Sequence, residues 1–198
     1  KYPEMRWNWD NISTNNILFP PSFIWGTATA AHQVEGDCTN NWSEFEKGTQ
    51  DSGQPNIKDN QQSGIACDHW NRYPEDITLI KELGVSHYRF SVEWSKIQPE
   101  QDVFDEAVLS HYSKMIDRLI EKNITPVLTL HHFTHPIWFG RLGAFEKEEN
   151  IHIFVDFCKR VFKEYSSKVD YWCTINEPAV GWFLVTVASS VPRLKALL

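Results

Sequence analysis

The 198-residue sequence lacks several features that mark common protein classes. Its four cysteines include no C-x-x-C pair, so neither a zinc site nor a dithiol redox motif is indicated. No apolar run approaches the length of a membrane span. The formal net charge is -7 and the basic residues are scattered, which argues against nucleic acid or an anionic membrane as a partner. These absences leave an ordinary globular chain whose cysteines are expected to be small, buried structural side chains.

Tryptophan, by contrast, is abundant, with nine residues in the chain. Aromatic faces suit concave sites that stack against flat apolar ligands, and carbohydrate is one such ligand class. We expect four of these residues to lie in the core because they fall at predicted strand and helix positions. These four are Trp25, Trp70, Trp94 and Trp172. The aromatic content therefore favours a carbohydrate ligand without locating its site.

Short apolar and β-branched runs alternate with helical patterns along the chain. Strands are predicted over residues 22–30, 85–92, 124–133 and 169–176. Between the strands, apolar residues recur every three or four positions. Helices are predicted over residues 73–84, 105–123 and 148–168. Apolar strands separated by helices predict an α/β fold with a parallel sheet, either doubly wound or closed into a barrel.

The ends of the predicted strands separate these two architectures. No G-x-G-x-x-G turn and no P-loop follows the first strand, so the phosphate-binding turn of a nucleotide-binding sheet is missing. Each strand ends instead in polar or ionisable side chains, and a barrel of eight βα units carries its active-site groups at such ends. The polar residues at the four ends are His32, Gln33 and Glu35; Arg89, Ser91 and Glu93; His131 and His132; and Asn176 and Glu177. The sequence therefore favours the barrel.

A resemblance to a known family is carried by four motifs in order: "FPPSFIWGTATAAHQVEG", "HWNRYPEDITLIKELGVSHYRFSVEWSKIQP", "TPVLTLHHFTHPIWF" and "YWCTINEPAV". Together they run from about Phe19 to Val180 and resemble glycoside hydrolase family 1, the retaining β-glycosidases of the β-glucosidase type. The resemblance implies a (β/α)8 TIM barrel, of which this chain holds about the first four βα units in a single domain over residues 1–198. It also implies hydrolysis of O-glycosidic bonds in β-glycosides without a cofactor or a metal.

The resemblance assigns roles to several of the residues at the strand ends. Glu177, in the T-x-N-E-P motif, matches the general acid and base of the family, a carboxyl group that must hold a proton near neutral pH. Asn176 matches the residue that hydrogen-bonds the sugar 2-hydroxyl. Gln33 and His132 match positions that bind the other glycone hydroxyls. Arg89 matches an arginine beside the nucleophile, where a fixed cation would keep that carboxylate ionised.

The sequence also departs from the family pattern. Where many members have H-W-D, residues 132–134 read H-F-T, so Phe133 is expected to flank the glycone. His32 replaces a common tyrosine. The run from His131 to His135 offers a metal-binding alternative, but its spacing is not that of a zinc pair on a helix, and we do not expect a metal there.

One catalytic group of the family is missing from the sequence. Retaining hydrolysis needs a second carboxylate, about 5 to 5.5 Å from the first, as the nucleophile. In the family it lies in an E-N-G motif on the seventh strand, and no E-N-G occurs in these 198 residues. The family pattern also fades after Val180, so residues 181–198 are interpreted as a divergent tail. We therefore expect the nucleophile on a missing C-terminal half and no activity from this chain alone.

Two hypotheses follow for what the chain does. It is either the N-terminal part of a β-glycosidase or a truncated, non-catalytic module for sugar binding or interaction. The sheet edges and apolar helix faces of half a barrel would have to be closed by a partner half, by dimerisation or another oligomer, or by rearrangement. The expected partner is a β-glycoside or oligosaccharide, with no nucleic acid and no membrane. The first residues show no signal-peptide pattern, which favours the cytoplasm but leaves the compartment, and equally the preferred sugar, open.

Overall fold

Four parallel strands form one sheet in the part of the chain that the structure, a computed structural model, describes, namely residues 18–179. The strands are β1 (Gly26–Ala28), β2 (His87–Ser91), β3 (Thr125–His131) and β4 (Tyr171–Ile175). The tail predicted over residues 181–198 lies outside the described residues.

Helices occupy each of the connections between the strands. They are α1 (Ala31–Val34), α2 (Asn41–Lys47), α3 (His69–Glu82), α4 (Trp94–Ile97), α5 (Glu106–Glu121), α6 (Ile137–Arg141) and α7 (Ile151–Tyr165). Short 3-10 segments cover Lys58–Asn60, Ala144–Glu146 and Glu148–Asn150. The three long helices α3, α5 and α7 are those predicted from the periodicity, and the short ones follow the carboxyl ends of the strands.

The spatial order of the strands is the order in which they occur in the sequence, β1-β2-β3-β4. A doubly wound sheet reverses its order at a switch point, where a ligand crevice forms, whereas a barrel adds each new strand on the same side. The sequential order therefore supports the barrel rather than the doubly wound sheet.

The predicted first strand is longer than the observed one. The pattern predicts a strand over residues 22–30, but only Gly26–Ala28 pair with β2. Trp25, which precedes it, is 52% exposed, so the prediction that it lies in the core is wrong. Trp94 is fully buried as predicted, while Trp70 and Trp172 are partly buried against the core.

The core lies between the sheet and the helices that pack against it. Asp105 caps the start of helix α5, and its side chain accepts hydrogen bonds from the backbone N–H groups of Ala107 and Val108 at 2.9 and 3.0 Å. Its buried residues recur at helical spacing and are Leu109, Tyr112, Met115, Ile116 and Leu119. Helix α7 buries Phe154, Phe157, Val161 and Tyr165 in the same way. These two stripes belong to one buried cluster with Tyr88 and Phe90 of β2 and Leu128 and Leu130 of β3.

The cysteines are expected to be buried, and the structure shows that they differ in exposure. All four cysteines are free; Cys38 is buried, Cys158 and Cys173 are half-buried, and Cys67 is exposed. The expectation of a small buried side chain is wrong for Cys67, because it lies in an exposed surface turn.

Within residues 18–179 every helix is too short or too polar to cross a membrane.

Candidate active site

The polar residues predicted from the strand ends lie along one edge of the sheet. Parallel strands present their carboxyl ends on the same side, so residues that follow different strands meet there. Gln33 belongs to α1 just after β1, and Arg89 lies within β2. His132 and Phe133 directly follow β3, and Asn176 and Glu177 directly follow β4.

A hydrogen-bonded chain of three side chains crosses this edge. The Arg89 guanidinium donates through Nη2 to Oδ1 of Asn176 at 2.6 Å and through Nε to Oγ1 of Thr129 at 2.9 Å. Asn176 is buried, with only 7% of its surface exposed. Because Arg89 has only donors, the oxygen of the Asn176 amide must face it, and the amide nitrogen is left to donate elsewhere. The contact therefore fixes the orientation of the amide.

Backbone pairing places Glu177 just beyond the sheet. The Asn176 N–H donates to the carbonyl of His131 at 2.9 Å, which continues the β3–β4 ladder past the end of β4. Glu177 then turns away with a φ of 45°, in the left-handed region that residues with a Cβ avoid. Such strain costs on the order of 1–3 kcal/mol and concentrates at functional sites. The side chain of Glu177 is exposed at the open side of this edge.

The loop after β3 has the same backbone feature. Phe133 has a φ of 67°, and its ring lies edge-on to that of His132 with centroids 5.4 Å apart. Asn41, at the start of α2, holds the next part of this loop: its Oδ1 accepts from the N–H of His135 at 2.9 Å. Its own N–H donates to the His135 carbonyl at 3.1 Å. The two connections after β1 and β3 are thus tied together beside the predicted sugar-binding residues.

The surroundings of His132 favour the neutral form of its ring. Partial burial lowers its pKa from the ordinary value, and the Arg89 guanidinium lowers it further, while the Glu177 carboxylate opposes both. A neutral imidazole carries one donor and one acceptor nitrogen, which suits it to a hydroxyl group. Glu177 is thus close enough for its charge to act on the His132 ring.

His131 and His135 lie deeper than His132 and do not form a metal site. Burial lowers the pKa of His131 to about 4 and that of His135 to about 3, so both rings are neutral at physiological pH. Aromatic rings surround His131 edge-on, those of Trp94, Phe145 and Phe154. No group of three His, Cys, Asp or Glu side chains within residues 18–179 is arranged to hold a metal ion.

Gln33 is the predicted site residue with the least contact to the others. It is exposed on α1, and no hydrogen bond within the described part of the chain joins it to Arg89 or Asn176. Its helix is nevertheless anchored, because the Ala31 N–H donates to Oγ of Ser91 at 2.8 Å. Next to it, His32 Nε2 lies 3.0 Å from Oε1 of Glu46. The variant histidine is therefore part of the support of this helix.

Sequence reasoning missed two residues that support the site. Thr129 is the second hydrogen-bond partner of Arg89. Its position as a polar residue between the buried Leu128 and Leu130 could have indicated from the sequence that it has such a partner. Asn41 holds the His135 backbone from ninety-four positions away in the chain. Nothing in its local sequence "TNNWSEF" marks that contact.

Comparisons with known proteins define first the class of fold and then the family. The β-glucosidase of Thermotoga maritima in complex with castanospermine superposes with a TM-score of 0.81 at 33% sequence identity, over 89% of this chain and 41% of that one. The fold is thus the (β/α)8 barrel, with its first four βα units described here. The model of glycosyl hydrolase family 1 matches residues 15–192, and the chain belongs to this family.

Curated relatives agree with this membership. A 1,4-β-D-glucan glucohydrolase of Thermotoga neapolitana is 35% identical over 164 residues, which are 82% of this chain and 39% of that protein. β-Glucosidase A of Acetivibrio thermocellus is 35% identical over 196 residues, covering 93% of this chain and 42% of that protein. The chain therefore spans about two fifths of the length of the curated relatives it matches.

Proposed function

We propose that this chain, completed by the rest of the barrel, hydrolyses O-glycosidic bonds in β-glycosides by a retaining double displacement, with Glu177 as the general acid and base. The observation that carries the proposal is the hydrogen bond from Arg89 to Asn176 directly before Glu177. It orients an amide donor beside an exposed carboxyl group at the mouth of a family 1 barrel.

The proposed first step breaks the glycosidic bond. The carboxyl group of Glu177 gives its proton to the glycosidic oxygen while the bond from that oxygen to the anomeric carbon breaks. A second carboxylate attacks the anomeric carbon from the other face and forms a glycosyl ester. We place that nucleophile outside the described residues, on the later strands of the barrel. The alcohol leaves carrying the proton that Glu177 supplied.

The second step restores the enzyme. The Glu177 carboxylate takes a proton from a water molecule whose oxygen attacks the anomeric carbon, and the ester bond to the nucleophile breaks. Two inversions leave the configuration of the sugar unchanged. Glu177 is then protonated again and the nucleophile is again a carboxylate, so the cycle balances without a cofactor.

The neighbouring residues bind the sugar in this proposal. The Asn176 amide nitrogen donates to the 2-hydroxyl, a contact that strengthens as the ring flattens toward an oxocarbenium ion. The neutral His132 ring and the Gln33 amide take other glycone hydroxyls, and the Phe133 ring flanks the glycone. Arg89 holds the Asn176 amide and supplies a positive charge near the place of the nucleophile.

The test is Glu177→Gln in the complete protein. We expect cleavage of alkyl β-glycosides to slow by about 10²–10⁴-fold, the range of general acid–base catalysis. Aryl glycosides with strongly activated leaving groups need no proton, so the rate of their first step should recover. Glu82→Gln, at an exposed position of α3, is the matched control and should leave both rates unchanged.

Two results would contradict the proposal. Unchanged turnover of alkyl glycosides by the Glu177→Gln protein would remove the assigned role. Saturable binding of a β-glycoside by the complete protein without turnover of any substrate would favour a non-catalytic sugar-binding module instead.

A further inference from the structure

A cleft of ≈ 450 Å³ lies between helices α2 and α6. This volume falls within the range of small-molecule sites, about 300–1,000 Å³. Asn41, which supports the candidate active site, is part of its wall, but none of the residues predicted to bind or cleave the sugar is: Gln33, His132, Asn176 and Glu177 are all absent from its lining. The cleft is therefore a separate concavity of the described part of the chain.

Two opposite charges line the cleft from its two sides. Glu44 projects from α2 and Arg141 from the end of α6, and both side chains are exposed. Among residues 18–179 neither side chain has an ion-pair or hydrogen-bond partner, and they do not pair with each other. A carboxylate that accepts thus shares a cleft with a guanidinium that donates. Hydroxyl groups complement both, because each hydroxyl can donate to the first and accept from the second.

The remaining wall offers an aromatic face and neutral polar groups. The Phe45 ring and the Ile137 side chain supply apolar surface, and Thr49 supplies a hydroxyl group. An aromatic ring beside hydrogen-bonding side chains suits a ligand with an apolar face and a polar rim. A sugar ring has both, since its C–H groups form one face and its hydroxyls surround the edge.

A buried polar atom lies at the bottom of the cleft. His135 lines the cleft but is only 2% exposed, and its Nε2 has no hydrogen-bond partner among the described residues. Gly140 lies opposite, and a Cβ at that position would come within 3.4 Å of the same nitrogen. The Gly140 backbone thus lies close to the edge of the imidazole, and Nε2 itself is buried beneath the wall of the cleft. Buried polar groups are rarely left without a partner, and this nitrogen is an unsatisfied polar atom under the cleft rather than part of its accessible surface.

We propose that this cleft is a second carbohydrate site, which binds a single hexose-sized, polyhydroxylated ring. Hydroxyl groups of the ring bridge Glu44 and Arg141, and one face packs on Phe45. The proposal does not depend on catalysis at Glu177.

The experiment is an isothermal titration of D-glucose into the complete protein saturated with an iminosugar glycosidase inhibitor. The inhibitor fills the candidate active site, so the remaining heat reports the second site. We expect saturable binding that falls at least about tenfold in Glu44→Gln and in Arg141→Gln, a loss of about 1.4 kcal/mol. Lys47→Gln, an exposed change on the same helix outside the cleft, should bind like the parent.

Three outcomes would overturn the proposal. The first is no glucose binding once the inhibitor is present, and the second is binding that Glu44→Gln and Arg141→Gln leave unchanged. The third is displacement of glucose by glycine at equal concentration, which would show that the cleft selects a pair of charges rather than hydroxyls. If the inhibitor itself fails to bind, the proposed function is in doubt, and the difference between the parent and Glu44→Gln in direct glucose titrations still tests the cleft.

Discussion

Three glutamates lie near the carboxyl ends of the strands, and two of them are buried whereas the third is exposed. Glu35 is 3% exposed, accepts from the Tyr112 hydroxyl at 2.7 Å, and forms an ion pair with Lys96 at 3.1 Å. Glu93 is also fully buried. Glu177 is exposed, has a left-handed backbone, and makes no hydrogen bond to any other side chain within residues 18–179.

The two buried carboxyl groups both have partners in the scaffold, although Oε2 of Glu35 has only its ion pair with Lys96. Glu93 accepts from the Ser95 hydroxyl at 2.7 Å and from the Thr134 hydroxyl at 2.9 Å, so both of its oxygens have partners. Its backbone N–H donates to the Tyr112 hydroxyl at 2.8 Å, and that hydroxyl donates onward to Glu35. The network therefore joins the connections after β1, β2 and β3 to helix α5. A carboxylate whose lone pairs are taken holds structure, and one without such partners is available for proton transfer.

The largest effect on stability is expected from Glu35→Ala. Removing this side chain leaves the buried Tyr112 hydroxyl without its acceptor and takes the acidic partner from Lys96, whose side chain is only 15% exposed. Breaking a buried pair in this way costs about 3–5 kcal/mol of unfolding free energy. Urea unfolding of the complete protein measures the loss, and Glu82→Ala on the exposed side of α3 is the control. Equal stability of the two variants would show that Glu35 is not structural.

The pH dependence of stability should carry the signature of Glu35. Burial, as the largest cause, raises the pKa of this carboxyl from 4.5 to about 7. Between these two pH values the folded state therefore holds a proton that the unfolded state has lost. The stability contributed by Glu35 is therefore complete below pH 4.5 and is lost as the pH rises toward 7, by about 1.4 kcal/mol per unit of pKa difference. Glu35→Gln should flatten this part of the curve. An unchanged slope between pH 4.5 and 7 would contradict the assignment.

His131 should give a pH effect of the opposite sign. Its pKa is lowered to about 4, so its contribution to stability is complete above pH 6.5 and is lost as the pH falls toward 4. Neither ring nitrogen has a partner among the described residues. His131→Phe should raise the unfolding free energy by about 1–3 kcal/mol, the cost of a buried unsatisfied group, and remove the acid-side loss. Thermal unfolding from pH 4 to 7 tests both, and a destabilised variant would show that the imidazole is bonded.

The smallest effect should come from relieving the backbone of Glu177. Because φ is 45° there, Glu177→Gly should stabilise the protein by about 1 kcal/mol while it abolishes acid catalysis. Glu177→Ala keeps a Cβ at the same φ, so it should lose activity without gaining stability. Urea unfolding of the two variants isolates the backbone term. Equal stability would mean that no strain is stored at this residue.

Much of the strand-end pattern could be predicted from the sequence, whereas the contacts between strand ends could not. The polar residues after β3 and β4 and the order of strands and helices follow from local patterns that the structure confirms. The bond between Arg89 and Asn176 joins residues eighty-seven positions apart and depends on the registers of three strands. Strand β1 is shorter than its pattern because pairing, rather than β propensity, sets its ends.

The cleft between α2 and α6 is harder to predict from the sequence than the strand ends. Its two charges lie on helices that are separated in the chain by α3, β2, α4, α5 and β3, and only the packing of α2 against α6 brings them to one concavity. No local pattern around Glu44 or Arg141 indicates that they share a cleft. The same holds for Asn41, whose contact with His135 links these two connections.

The most direct test of the contrast between the glutamates is the pH profile of kcat/KM for an alkyl β-glucoside in the complete protein. The decline of activity at high pH reports the loss of the essential acid in the free enzyme. We predict that this basic limb disappears in Glu177→Gln, whose residual activity should be flat, and that it persists in Glu35→Gln. A basic limb that survives in Glu177→Gln and vanishes in Glu35→Gln would contradict the account, because the buried carboxyl would then be the acid.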